Sequence, residues 1–137
     1  MATYADKVAA LGGLIKVNIA LAASATTDGM DITVSVKDHR GLAVTERKLL
    51  HLFMSENATG GGLTADAYSG DLTATAGAIL TALTAKKHWA VVTDATGVFA
   101  ATLVDTANPA DQYVVIGGPD ISGVVLSPIS GTNWEGV

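Results

Sequence analysis

The sequence predicts an all-β domain: an antiparallel, jelly-roll-like sandwich or barrel of about eight strands, with a short N-terminal helix or arm. Three observations predict it. Apolar and polar residues alternate over successive short segments, the period-two pattern of half-buried strands. Val, Thr and Gly are abundant, with 15 glycines in 137 residues, and these residues favour strands and turns. No strand–helix–strand alternation occurs, which argues against parallel α/β architectures. The length fits one domain, divided by pattern into an arm (residues 1–13), a β-sandwich (14–128) and a tail (129–137).

Taken in order, Thr3 to Leu11 reads as a short helix. Thr3 can cap it with Asp6 three residues on, and Tyr4, Val8 and Leu11 share one face. Gly12-Gly13 ends it. Ile15, Val17, Ile19 and Leu21 then alternate with Lys16 and Asn18, a half-buried strand. After the polar loop Ser24 to Gly29, Met30 to Lys37 alternates most regularly, with Met30, Ile32, Val34 and Val36 inward. Asp38-His39-Arg40-Gly41 is a tight turn, read as leading into a hairpin partner at Leu42 to Thr45. Leu49 to Ser55 is an apolar run, short enough for a strand buried on both faces. Asn57 to Gly62 is a glycine loop, and Ala65 to Gly77 is weakly patterned. Ile79 to Thr84 fits either a strand or a helical turn. Trp89 to Thr93 is a strand, and Asp94-Ala95-Thr96-Gly97 repeats the D-x-x-G turn before its expected hairpin partner, Val98 to Val104. Gln112 to Ile116 and Val124 to Leu126 are the last strands, joined by a turn at Gly117 to Asp120.

Composition narrows the function. The net charge is −5 and the eight Lys and Arg are scattered, so there is no basic stripe for nucleic acid. No apolar run reaches the roughly 18–20 residues of a membrane helix, and the N-terminus does not read as a signal peptide. The chain is therefore expected to be made in the cytoplasm and to bind neither membrane nor nucleic acid. The absence of cysteine excludes disulfides, thiol catalysis and Cys-based zinc sites.

No catalytic constellation emerges, and the expectation is a protein that is not an enzyme and holds no cofactor or metal. His39 falls in a turn, His51 projects from a strand and His88 follows Lys86-Lys87. None forms an H-x-H or H-E-x-x-H pair. Asp28 and Asp31 supply too few oxygens for a calcium loop, and Asp66 and Asp71 flank a further loop. Gly60-Gly61-Gly62 lacks the Lys-Ser/Thr of a phosphate loop. The match of Asn57-Ala58-Thr59 to a glycosylation sequon has no secretion signal behind it. Trp89 reads as core. Trp134 lies in a polar segment, where a large aromatic must dock on its own domain or on a partner. Tyr4, Val8, Leu11 and Trp134 are therefore the candidate interface residues, on the reasoning that the strands use their apolar residues for the core.

The stretch from Ile32 to Ile116, about 60% of the chain, resembles small virion proteins of tailed bacteriophages. The order of pieces carries the resemblance. A strand ends in Asp38-His39-Arg40-Gly41, and Leu52-Phe53-Met54-Ser55-Glu56 follows with Gly60-Gly61-Gly62-Leu63. Next come Leu83-Thr84-Ala85-Lys86-Lys87, Thr93-Asp94-Ala95-Thr96-Gly97-Val98-Phe99, Asp105-Thr106 and Gln112-Tyr113-Val114-Val115. Within that group, the size and the Ala/Thr/Gly-rich composition are similar to capsid cement, or decoration, proteins.

That resemblance implies a non-enzymatic protein on the outer capsid surface of the virion. It would clamp the major capsid protein lattice and assemble as a dimer or trimer. No capsid-binding motif is present, so no contact residues carry over. A fibre or tail domain that binds a host receptor or glycan is the alternative reading, and a cupin-like metal pocket is a further rival.

Overall fold

Nine strands form two antiparallel sheets in the computed structural model, which describes residues 15–65, 67–121 and 123–136. The strands are β1 (Lys16–Ala23), β2 (Gly29–Lys37), β3 (Leu49–Ser55), β4 (Leu72–Ala76), β5 (Ala78–Thr84), β6 (His88–Val92), β7 (Val98–Val104), β8 (Tyr113–Gly117) and β9 (Val125–Pro128). One sheet has the order β1-β2-β7-β4 and the other β5-β6-β3-β8-β9. The architecture is a sandwich, with no closed barrel. The proposed helix at Thr3 to Leu11 lies outside the described residues.

Alternation builds the core. In β2, Met30, Ile32, Val34 and Val36 are buried, while Asp31, Thr33 and Ser35 face outward. They meet Phe99, Ala101 and Leu103 of β7 along the same sheet, because Val34 pairs with Phe99 and Met30 with Leu103. The opposite sheet supplies Leu50, Leu52 and Met54 from β3, Trp89 and Val91 from β6, and Val114 and Ile116 from β8. The largest core residue of the strands, Trp89, donates its indole N–H to Asp71 Oδ1 at 3.2 Å, so its polar end is satisfied where the ring is buried.

The two D-x-x-G segments fold alike. Asp38 Oδ1 accepts from the backbone N–H of Arg40 and Leu42 at 2.8 and 3.1 Å. Asp94 Oδ1 accepts from Thr96 and Val98 at 2.8 and 3.1 Å. Both close with a glycine at positive φ, 82° at Gly41 and 79° at Gly97. Side-chain hydrogen bonds, from Arg40 to Asp38 and from Thr96 to Asp94, lead the effects that lower the pKa of each carboxyl.

The turns fold as expected, but their strand partners differ. The Asp94 turn does not join a hairpin: β6 lies in the five-stranded sheet and β7 in the four-stranded one, so the chain changes sheet there. Thr93 still follows the β3 side, its N–H donating to Lys48 O and its Oγ1 accepting from Lys48 N, and after the turn Val98 pairs with Ser35 of β2 instead of folding back on β6. Leu42 to Thr45 does not form a strand either. It makes one bridge, Lys37 to Ala43, because β1 and β7 already occupy both edges of β2. The weakly patterned stretch before Gly77 contains β4, whose Ala and Thr residues give little contrast between faces. The ambiguous segment at Ile79 is strand β5.

A single residue, Gly77, carries the chain from β4 in one sheet to β5 in the other. Its φ is 74°, and a Cβ there would stand 2.3 Å from the carbonyl oxygen of Val92. Only glycine tolerates both conditions.

The face assignment of β2 can be checked directly. Val34→Asp places an unpaired carboxylate where no side-chain surface reaches water, and should cost about 3 kcal/mol or more. Chemical denaturation measures this, and a variant that melts like the parent would contradict the packing.

Candidate interaction surface

The two sheets differ in what they show to solvent. Alternation sends outward every second residue of each strand. In the four-stranded sheet the outward positions include Lys16, Asn18, Asp31, Thr33, Ser35, Lys37, Thr73 and Thr75, an ordinary polar face. In the five-stranded sheet none of the strands contains an Asp, Glu, Lys or Arg. Its outward positions include Leu49, His51 and Phe53 of β3, His88, Ala90 and Val92 of β6, and Tyr113 and Val115 of β8, as the paired registers place them.

Part of this face is covered from within. Val115 is fully buried although it belongs to the outward set, and the glycine loop lies over it, with the Cβ position of Gly60 3.2 Å from Val115. The rest is open. Leu49 is 39% exposed, so β3 is not buried on both faces as its continuous apolar run suggested. Leu50, Leu52 and Met54 face the core, and Leu49, His51 and Phe53 face out.

Edge strand β5 extends the open surface. Ile79 pairs with Val91 and Thr81 with Ala90, which leaves Leu80 as an inserted residue. Ala82 pairs with Trp89 and Thr84 with His88, which leaves Leu83 as a second one. These two bulges leave their leucines 57% and 51% exposed. A bulged edge resists uncontrolled strand addition, yet here each bulge presents a large apolar side chain.

Two histidines lie within this apolar face. His51 opposes Ala90 and His88 opposes Phe53, so the imidazoles are diagonal neighbours across β3 and β6. His51 Nδ1 and His88 Nε2 are 3.2 Å apart. Phe53 packs edge-on against the His88 ring with centroids 5.4 Å apart. Burial, followed by the neighbouring His51, lowers the pKa of His88 below the usual histidine value. His88 is the first residue of β6. The cations beside it point elsewhere: Lys86 Nζ donates to Ser69 O and Lys87 Nζ to Ala65 O. The spacing of the histidines along the chain hid this pair, which forms only when β3 and β6 align.

Trp134 is not an exposed anchor. It is fully buried, its indole N–H donates to Pro109 O at 2.7 Å, and its ring stacks on buried Tyr68 with centroids 6.3 Å apart. The neighbouring residues hold it there. Glu135 N donates to Gly29 O, and Glu135 Oε2 accepts from Asp28 N at 3.0 Å. The sequence between Pro128 and Gly136 therefore caps one end of the sandwich, and the polar residues around Trp134 serve as its hydrogen-bonding frame. Tyr68 completes this end, donating to Gln112 Oε1, while Gln112 Nε2 donates to Thr64 Oγ1. Burial raises the Tyr68 pKa far above the usual phenol value. The other three candidate interface residues, Tyr4, Val8 and Leu11, lie outside the described residues.

Compared with known proteins, the chain matches no family model, no curated protein and no solved structure. Among the described residues no group of three or more His, Cys, Asp or Glu side chains converges as a metal cluster, and no helix is long and apolar enough to cross a membrane.

Two outcomes follow from this arrangement. Trp134→Ala empties a buried, hydrogen-bonded site and should destabilise the fold by about 3–5 kcal/mol, read from a denaturant titration. An unchanged midpoint would place the ring outside the core. The second concerns pH. The folded state holds the His88 pKa below its unfolded value of about 6.5, so the unfolded chain binds the proton more readily. The contribution of His88 is therefore present above about pH 6.5 and lost as pH falls through the folded value. Denaturation midpoints across this range should fall less steeply for His88→Gln than for the parent, and equal slopes would contradict the assignment.

Proposed function

We propose that this chain is a non-enzymatic virion structural protein, a capsid cement protein that docks on the outer surface of a major capsid lattice and stabilises the head. The observation that carries the reading is the outer face of the five-stranded sheet. Its strands are free of charged residues, it exposes Leu49 and is flanked by Leu80 and Leu83, while the other sheet is polar. Large exposed apolar patches mark interaction surfaces. The order of strand and turn pieces that resembles phage virion proteins supplies the partner class.

The mechanism is additive contact. Each copy would bury part of this face against the lattice, displacing water from Leu49, Phe53 and the β5 leucines. Repetition over the shell gives avidity from contacts of moderate strength. The net charge of −5 suits the outside of a head better than its DNA-facing interior. The two-sheet core supplies rigidity, so little ordering cost is added on docking.

The test is co-sedimentation with purified heads that lack their decoration protein. Leu49→Lys with Phe53→Glu should retain a folded circular dichroism spectrum and lose attachment by about tenfold or more, the scale of one interface anchor. Thr33→Lys, on the opposite sheet, should bind like the parent. Equal binding of both variants would remove the docking face from the account, and parent protein that binds host cells but not heads would favour the fibre or tail reading.

A further inference from the structure

The paired histidines are placed as metal ligands are placed. Zinc holds imidazole nitrogens at about 2.0–2.1 Å in tetrahedral geometry, so two such nitrogens on one ion stand about 3.3 Å apart. His51 Nδ1 and His88 Nε2 share a hydrogen bond at 3.2 Å, close to the spacing that an ion replacing the shared proton would set. Their positions are fixed by the sheet. His51 opposes Ala90 and Phe53 opposes His88 in a continuous antiparallel register, so neither ring depends on a mobile loop. Phe53 packs against His88 in a T-shaped arrangement and restricts its ring.

We propose that His51 and His88 form a two-histidine site for a borderline divalent transition metal, of the class of zinc, nickel or copper, on the outer face of the five-stranded sheet. The donor set selects this class. Two neutral imidazoles suit zinc, nickel and copper, whereas calcium and magnesium need oxygen ligands. No third His, Cys, Asp or Glu side chain joins the pair among the described residues. Two positions of a tetrahedral ion therefore remain for water or for a donor from a docked partner. The two histidines are 37 residues apart in sequence and meet only in the sheet.

The ion would cross-link β3 and β6 in the folded state alone, because the two side chains lie together only when the strands pair. Binding of that kind raises the melting temperature in proportion to the logarithm of metal concentration. The proposal concerns the isolated protein and does not rest on the capsid reading.

The experiment uses tag-free protein. Thermal unfolding is followed with ZnCl2, NiCl2 or MgCl2 at millimolar concentration. Zinc or nickel should raise the melting temperature by about 3 °C, and magnesium should not. The rise should vanish in His51→Gln and in His88→Gln, and persist in His39→Gln. A parent protein that does not respond to zinc or nickel, or a rise that survives in either of the first two variants, would overturn the site. If a variant fails to fold, Cu2+ added to the parent decides the matter by NMR. Selective broadening of the His51 and His88 ring resonances supports the site, and broadening at His39 alone or at no histidine overturns it.

Discussion

A strand cannot choose the chemistry of one face without exposing the other. Side chains alternate across it, so every inward residue brings an outward neighbour. This constraint governs the whole molecule. In β2 the buried set of Met30, Ile32, Val34 and Val36 is interleaved with Asp31, Thr33 and Ser35, and the outer face is polar. In β3 the buried set of Leu50, Leu52 and Met54 is interleaved with Leu49, His51 and Phe53, and the outer face is apolar. Both strands serve the core equally well. Packing does not require the second pattern, and its extension across five strands sets apart one side of the sandwich.

A polar network seals one end of the sandwich, and loop residues Leu42, Leu63 and Val124 are exposed outside the strands. At the sealed end Trp134, Tyr68, Gln112 and Thr64 are joined by hydrogen bonds and stacking. Lys48 pairs with Asp120 at 3.5 Å and with Glu46 at 3.7 Å, next to the start of β3. Exposed pairs of this sort add little stability. They do keep charge in loops adjoining the five-stranded sheet and off its strands. The bulges of β5 act similarly on the edge: they interrupt a regular ladder and leave Leu80 and Leu83 as projections rather than as part of a continuous template.

Much of the fold could be read from the sequence, because alternation and turn chemistry are local. The inward face of β2 and the two aspartate turns followed from neighbouring residues alone. Strand partners did not. Whether Val98 continues a hairpin with Val92 or enters the other sheet is decided by its pairing with Ser35 of β2, 63 residues away in sequence. β4 was hidden because Ala and Thr differ too little in hydropathy to mark a face. For Trp134 the sequence left docking on its own domain or on a partner open, and the first holds because Glu135 bonds to Asp28 and Gly29 and closes the segment over the core. The histidine pair had no sequence signal, since it exists only in the register that aligns Phe53 with His88.

One side of the sandwich is polar and the other carries no charged residue on its strands, and the docking proposal rests on that difference. The most direct measurement of that division is a cryo-EM map of heads saturated with the protein, at a resolution that orients the two sheets. The account predicts that the five-stranded sheet faces the capsid, with Leu49, Phe53 and the β5 leucines at the contact. A map in which the four-stranded sheet meets the shell, and Leu49 and Phe53 face solvent, would contradict it.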